Sequence, residues 1–382
     1  MSVRRVVAVA AAGALAATLA GCGGGSSSSA DSGPATNPPS TSATPSTSTS
    51  PTAPTSSATP VGSPEHPVVL TPEQDLLGWS PVPGSTKDVV TVGGRWTLTV
   101  ASGGSTARLA GPHPRTVRAG PHASITDAYL DGSHALVVSE DRLAQQPDVA
   151  TVVDLRTGAA TTLDGSSSPP TVVGGTWALG PDSLVHATSG PRRTYCLATV
   201  DLATGRGTTG WCAQPRHGFS RAAVNGSTTT MMVFDDHHPS CRTLVEVAGR
   251  RLVPLPGVTH CTGWDSSLTA PGTTWSVVPN EHRIEAAHFY AHTAAGWYDL
   301  GRGISGSLVT CGGDSYFARD PASGSDPATL LRWSPADATL SVVFASHGTG
   351  NAFLAPPRCG GDHLTVTAYS QAGDEQVTTR VG

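Results

Sequence analysis

The side chains of this sequence that could do chemistry are histidines, carboxylates and cysteines in a few short stretches. Asp235-Asp236-His237-His238 offers two carboxylates and two imidazoles in a row, a donor set that suits zinc or copper. Consecutive residues of a strand point to opposite faces, so one ion rarely draws on all four. A solvated polar loop explains the run better. Glu281-His282-Arg283 precedes His288 and His292. His288, Tyr290 and His292 would share one face of a strand, and Glu285 with His288 matches no zinc-hydrolase spacing. An exposed strand face is the simpler account. Gly313-Asp314-Ser315 looks like the start of an esterase block but falls in an expected strand turn. Asp320 to Asp326 is an acidic loop, yet position twelve of a calcium loop would be Leu331, which cannot ligate. Gly-x-Ser-x-Gly, His-Glu-x-x-His and phosphate-loop motifs are absent. The expectation is no metal, no cofactor and no assignable catalytic residue; the sequence leans away from an enzyme without deciding the point.

The elements that must position these residues are strands. From about residue 66 onward, short alternating runs rich in Val, Thr, Leu and Trp are separated by Gly, Asp and Asn turns, an all-β pattern. Asp154-Leu155-Arg156-Thr157-Gly158 recurs as Asp201-Leu202-Ala203-Thr204-Gly205, with looser copies at Gly111-Pro112, Ala248-Gly249, Ala295-Gly296 and Ser334 to Asp337. A second series interleaves with it: Gly93-Gly94, Asp131-Gly132, Gly180-Pro181-Asp182, Asn225-Gly226, Pro271-Gly272, Gly312-Gly313-Asp314 and Gly360-Gly361-Asp362. Four strands repeated every ~40–50 residues are the signature of a β-propeller. The Gly/Asp series is assigned to the turn between strands one and two of each blade, and the Asp-Leu-x-Thr-Gly series to the turn between strands three and four. This gives a seven-bladed propeller of four-stranded antiparallel blades over 66–382, with six or eight blades left open. The seventh blade runs out after three strands, and Pro67 to Thr71 is expected to complete it and close the ring. The repeat resembles those of YVTN-type, quinoprotein-like and TolB-like propellers. The resemblance covers 66–382 and brings no active-site motif with it.

In this register the loops between strands two and three lie on one face of the disc. They carry Asp141, Arg142, Arg192, Arg193, Asp235, Asp236, His237, His238, Glu281, His282, Arg283, Arg319, Asp320 and Asp326. Loops on a rigid scaffold are where binding residues tend to sit, so this face is the candidate recognition surface, and the opposite face is expected to be tight turns. Charges that merely solubilise long loops are the competing account. Cys196 and Cys212 flank one three-to-four turn and Cys241 and Cys261 the next. Cys311 and Cys359 hold equivalent places in adjacent blades. These pairs are expected as structural disulfides, although six cysteines allow 15 pairings and the sequence alone does not choose among them.

The start of the chain has a different texture. Met1 to Arg5 is short and basic, Val6 to Gly21 is apolar and small, and Leu19-Ala20-Gly21-Cys22 follows. That order resembles a bacterial lipoprotein signal peptide (1–21), with Cys22 as the acceptor of a palmitate-type lipid anchor. The apolar run is short of the ~20 residues a span needs, so the mature chain would be anchored to the membrane without crossing it. Residues after Cys22 are almost only Gly, Ser, Thr, Pro and Ala up to about residue 65, with Asp31 the one charge before Glu65. Such a composition cannot bury enough surface to offset its ordering entropy; as a random coil it would reach roughly 35 Å. The segment 22–65 therefore reads as a lipidated cysteine on a disordered stalk. Of 23 basic side chains only Lys87 is a lysine, a bias of GC-rich genomes such as those of actinobacteria. A net charge of -5 supplies no basic field for nucleic acid. The function expected is a non-catalytic binding or scaffold module on the outer face of the cell membrane, with an envelope protein or small ligand as partner. An envelope hydrolase or lyase, and a metal- or ligand-binding sensor, are the alternatives.

Overall fold

The computed structural model describes residues 61–280, 282–349 and 351–382. The expected signal peptide, Cys22, the expected stalk up to residue 60, and Glu281 lie outside them.

The described chain is an all-β propeller of antiparallel four-stranded blades. Strands pair in chain order within 89–118, 123–163, 177–212, 217–254, 263–303 and 309–349. Arg358–Gly360, His363–Tyr369 and Glu375–Arg380 pair in the same way, and one parallel residue pair, Gly360 with Leu130, joins this last group to the 123–163 blade in a nine-stranded sheet. Both turn series fall where their glycines place them. Asp131-Gly132 separates Ala123–Leu130 from His134–Asp141, and the turn after Asp154 separates Val149–Asp154 from Ala160–Leu163. The mechanism of the second turn is visible. The Asp154 carboxylate accepts the N–H groups of Arg156 (2.8 Å) and Thr157 (3.1 Å), and Gly158 takes a φ of +74°, a conformation a Cβ disfavours.

The core lies between blades. Trp96, Leu98, Leu109, Ala128 and Val137 fill one interface; Leu136, Trp177 and Leu184 the next; Phe219, Met231 and Val245 another. Phe289, Phe317 and Trp333 pack between the 263–303 and 309–349 blades, and Tyr316, Phe344 and Val366 between 309–349 and 358–380. The interface between 358–380 and 89–118 is more polar. Val92 N–H donates to Thr365 Oγ1 (3.2 Å), Gln376 to the Asp88 carbonyl (3.2 Å) and Tyr369 Oη to the Thr86 carbonyl (3.1 Å). A Cβ on Gly360 would lie 2.1 Å from the Val92 carbonyl oxygen, so this backbone approach requires glycine.

One expectation is corrected. Pro67 to Thr71 does not complete the last blade. Val68–Val69 instead runs parallel to Tyr298 and Asp299, as a fifth strand on the 263–303 blade. Glu73–Gln74 pairs in parallel with Ser341 and Val342 on the next blade. The strand that completes the last blade is Ser80–Pro81, antiparallel to Val377 and Thr378. The segment is thus a strap over successive outer edges, which it covers against pairing with other chains. Its position is fixed by Leu77 and Trp79, which pack against the Phe344 cluster; Trp79 also donates its indole N–H to the Val343 carbonyl (2.9 Å).

All six cysteines of the domain are paired. Cys196–Cys212 joins directly opposed residues of neighbouring strands. Cys311–Cys359 joins the first strands of adjacent blades across 48 residues of chain, worth about 4 kcal/mol by loop entropy. Cys241–Cys261 is a loop-to-loop bond, because Cys261 lies beyond the fourth strand of its blade, Arg251–Pro254, rather than opposite Cys241 in a hairpin.

Candidate functional site

The face that carries the two-to-three loops holds a groove of about 740 Å3 between the 263–303 and 309–349 blades. Arg283, Glu285, His288, Arg302, Arg319 and Asp320 supply its charged and ionisable lining. Its centre is Arg319, at the end of Asp314–Arg319. That side chain reaches across to the neighbouring blade, where Nε donates to the Arg302 carbonyl (2.9 Å) and Nη2 to the Leu300 carbonyl (3.0 Å). Leu300 is the unpaired residue of a β-bulge, since Tyr290 faces Asp299 while Phe289 faces Gly301. The bulge removes its carbonyl from the ladder and leaves it free to accept. Gly301 lies beneath, at φ +82°, and a Cβ there would come within 3.1 Å of Arg319 Nη2.

Arg319 is half-buried and forms no ion pair with a described residue. Burial pushes its pKa down, and no neighbouring charge opposes that. Asp320, next in the chain, forms no ion pair with it; burial first, then the Glu285 charge, pushes the Asp320 carboxyl up. Glu285 is engaged by Arg283 (3.3 Å). His288 Nε2 lies 2.5 Å from Asp299 Oδ1, which also accepts the Gly301 N–H (2.8 Å). Arg302 is exposed and forms no ion pair with a described residue. Among the described residues, the groove therefore presents two guanidinium groups without an ion-pair partner. Planar, bidentate guanidinium groups match carboxylate and phosphate oxygens.

Of the residues expected on this face, the structure brings Arg283, Arg319 and Asp320 together in the groove, and His282 lies exposed beside it. Other carboxylates of the set hold their own loops. Asp141 accepts N–H groups from Gln145 (2.9 Å), Gln146 (3.1 Å) and Leu143 (3.2 Å), which lower its pKa. Asp235 accepts the Cys241 N–H (2.9 Å) and pairs with His237 (2.9 Å). Asp236 pairs with Arg216 (2.9 Å), and Asp326 accepts the Ser323 hydroxyl (2.9 Å). Arg192 and Arg193 sit in an exposed turn at φ +58° and +60°, Arg142 is exposed, and His238 precedes Pro239 on an exposed loop.

Two charged groups were not singled out from sequence. Asp265 is buried and fully partnered: it accepts from Arg221 (3.0 Å), Ser276 (3.1 Å) and the Gly306 N–H (2.7 Å). The Arg221 guanidinium also stacks over Trp264 at 4.7 Å. The second group is Asp127, Glu140 and Asp148, each raised in pKa by burial, with mutual charge adding to Glu140 and Asp148. Asp148 accepts from Gly174 (2.9 Å) and Trp177 (3.2 Å). Tyr129 Oη lies 2.9 Å from the Trp177 carbonyl and 3.1 Å from Asp127 Oδ1. Its single proton is shared between these two acceptors. Between the tight turns of the opposite face, Arg95, His134, Arg156 and Asp362 line a groove of about 780 Å3. Asp362 is held by His363 (2.6 Å) and Arg380 (2.7 Å).

No family description matches the chain, and neither does any curated protein sequence. Solved structures do resemble it. The β-propeller domain of the Trilobed protease from Pyrococcus furiosus, described as an open velcro topology, matches at a TM-score of 0.52 and 9% identity over 77% of this chain and 96% of that one. Oligogalacturonate lyase from Vibrio parahaemolyticus matches at 0.50 and 12% over 81% and 99%. Acylaminoacyl peptidase from Pyrococcus horikoshii matches at 0.46 and 9%, and the chain covers 43% of it. At such identities the likeness shows the propeller fold and no activity.

Proposed function

We propose that this chain is a lipid-anchored extracytoplasmic binding module, a seven-bladed propeller that takes a carboxylate- or phosphate-bearing ligand in the Arg283–Arg302–Arg319 groove. The observation that carries the ligand class is Arg319: a half-buried guanidinium fixed by two carbonyls and in no ion pair with a described residue. An anion seated there would regain the charge interaction that burial removes. The count of seven treats the two halves of the nine-stranded sheet as separate blades, since one residue pair joins them. The anchor rests on the order of basic, apolar and Leu-Ala-Gly-Cys residues at the start of the chain. Partners would be an envelope protein or a small ligand, and the net charge of -5 argues against nucleic acid.

Two experiments test this. Titration of the protein with anionic oligosaccharides and acidic peptides should give saturable binding that Arg319→Gln weakens at least tenfold; equal binding by both proteins ends the groove reading. Incorporation of labelled palmitate in cells should be lost in Cys22→Ser; retained label rejects the anchor.

One observation favours an enzyme as the second reading. Asp127, Glu140 and Asp148 form a group of carboxylates with raised pKa values, the condition under which one carboxyl donates a proton while another stays ionised. Hydrolase or lyase activity on glycans that disappears in Asp127→Asn, with the fold intact, would establish that reading.

A further inference from the structure

We propose that Cys241, Cys261 and His260 form a redox-gated metal site, closed while the two sulfurs are bonded and open to zinc once they are reduced. The three side chains place their ligand atoms within 4.8 Å of one another. His260 Nδ1 is 3.3 Å from Cys261 Sγ and 3.8 Å from Cys241 Sγ. In a tetrahedral zinc site, bonds of about 2.0–2.3 Å put neighbouring ligand atoms roughly 3.3–3.8 Å apart. The imidazole already stands at that range from both sulfurs. Only the two sulfurs must part, and side-chain rotation accomplishes that.

This bridge differs from the other two in access. Each of the other bridges has one buried sulfur-bearing residue, Cys196 at 0% and Cys311 at 2% exposure, opposite a partly exposed one, Cys212 or Cys359. Cys241 and Cys261 are each partly exposed, on loops of the open face, and His260 is exposed. Both cysteines of this pair, and not just one, are open to a reductant, so it should be reduced first. The backbone around it is held by bonds that do not involve sulfur. Cys241 N–H donates to Asp235 Oδ1 (2.9 Å), Arg242 N–H to the Cys261 carbonyl (3.4 Å), and Thr262 to the Thr259 carbonyl through both N–H (3.3 Å) and Oγ1 (3.0 Å). Arg242 itself is clamped over Trp264 and to the Val278 carbonyl (2.8 Å). The two cysteines, 4.1 Å apart at Cα, should stay adjacent after the S–S bond is cut.

The chemistry balances with a dithiol as reductant. Its thiolate attacks one sulfur, the other cysteine sulfur leaves as a thiolate and takes a proton, and the second thiol of the reductant resolves the mixed disulfide. Two electrons and two protons pass to the protein, and the reductant becomes a disulfide. Zinc then displaces the two thiol protons and binds two thiolates and the neutral imidazole, with water in the fourth position. Two soft thiolates and an imidazole favour zinc over calcium or magnesium.

The test uses the full chain purified in detergent and reduced with a water-soluble phosphine, which supplies the two electrons and leaves as its oxide with oxygen from water. At limiting phosphine, alkylation and mass spectrometry should find Cys241 and Cys261 labelled before the other four. Zinc should bind at one per reduced chain and protect those two cysteines from alkylation. Cobalt in its place should give thiolate charge-transfer bands. The oxidised chain should bind none. His260→Ala keeps both cysteines and hence the native bridge, and should weaken zinc at least tenfold. Prior opening of another bridge, no zinc on the reduced chain, equal affinity in His260→Ala, or equal binding by the oxidised chain would each overturn the proposal.

Discussion

Asp265 and Arg319 are both charges withdrawn from water, and they are solved in opposite ways. Asp265 has a cation, a hydroxyl and a backbone N–H aimed at its two oxygens. Among the described residues, Arg319 has two carbonyls and no anion. A complete set of partners from the protein itself leaves nothing for a ligand to add, and marks a structural tie between blades. An incomplete set in an open groove leaves a charge that a ligand can satisfy. The contrast separates scaffold from site among residues whose types alone look equally functional.

The largest effect should come from the complete set. Asp265→Ala strands Arg221 and the Gly306 N–H, and chemical denaturation should show a loss of about 3 kcal/mol. That is the low end for a broken buried pair, because Arg221 keeps 34% of its side-chain exposure. Ligand affinity of the surviving folded protein should be unchanged. At the incomplete set the order inverts. Arg319→Gln should leave the denaturation midpoint within the range of ordinary surface changes and weaken an anionic ligand by roughly tenfold to a hundredfold, the worth of a charge-assisted hydrogen bond. If instead Arg319→Gln unfolds the protein and Asp265→Ala abolishes binding, the two sites have been assigned the wrong way round.

Asp127 is intermediate, with a hydroxyl partner but no direct counter-charge. Its pKa is raised, chiefly by burial. A carboxyl raised in the folded state contributes stability that is fully present below its unfolded value, ~3.9, and lost as pH rises through the folded value. At neutral pH the ionised form is therefore a burden. Asp127→Asn, of the same shape and never ionised, should raise the melting temperature at pH 7 by about 2–4 °C and gain nothing at pH 3. A gain that is the same at both values would show that the charge is not what Asp127 costs.

What was readable in the sequence follows from how local each signal is. The turns were legible because Asp154 and Gly158 act on their own backbone, within five residues. Cys196–Cys212 and Cys311–Cys359 were legible because blade register brings their chain positions together, whereas Cys241–Cys261 joins two loops outside that register. The closing strand was not: Pro67 to Thr71 looks like a strand and is paired as one at Val68–Val69, but which edge it takes depends on Leu77 and Trp79 meeting a cluster more than 250 residues away. The groove was half legible. Arg192, Arg193 and Arg319 are the same residue type in equivalent loops. Only the bulge at Leu300, on another blade, makes Arg319 different. Asp127 and Asp265 read as ordinary polar positions of alternating strands, because burial at a blade interface leaves no local mark.

The smallest expected effect is the most discriminating for the extent of the recognition surface. Asp236 and Arg216 form a short ion pair at 2.9 Å, but both side chains are more than half exposed. Solvent screens such pairs and their contribution is close to nil. Asp236→Asn should change neither the denaturation midpoint nor ligand affinity, measured beside Arg319→Gln under the same salt. A drop in affinity with stability intact would mean that the ligand spans from the 263–303 and 309–349 blades to the 217–254 loop, and that the whole charged face is the site. With no drop, recognition is confined to the groove, and the remaining loop charges serve to hold their own turns and to keep the face in solution.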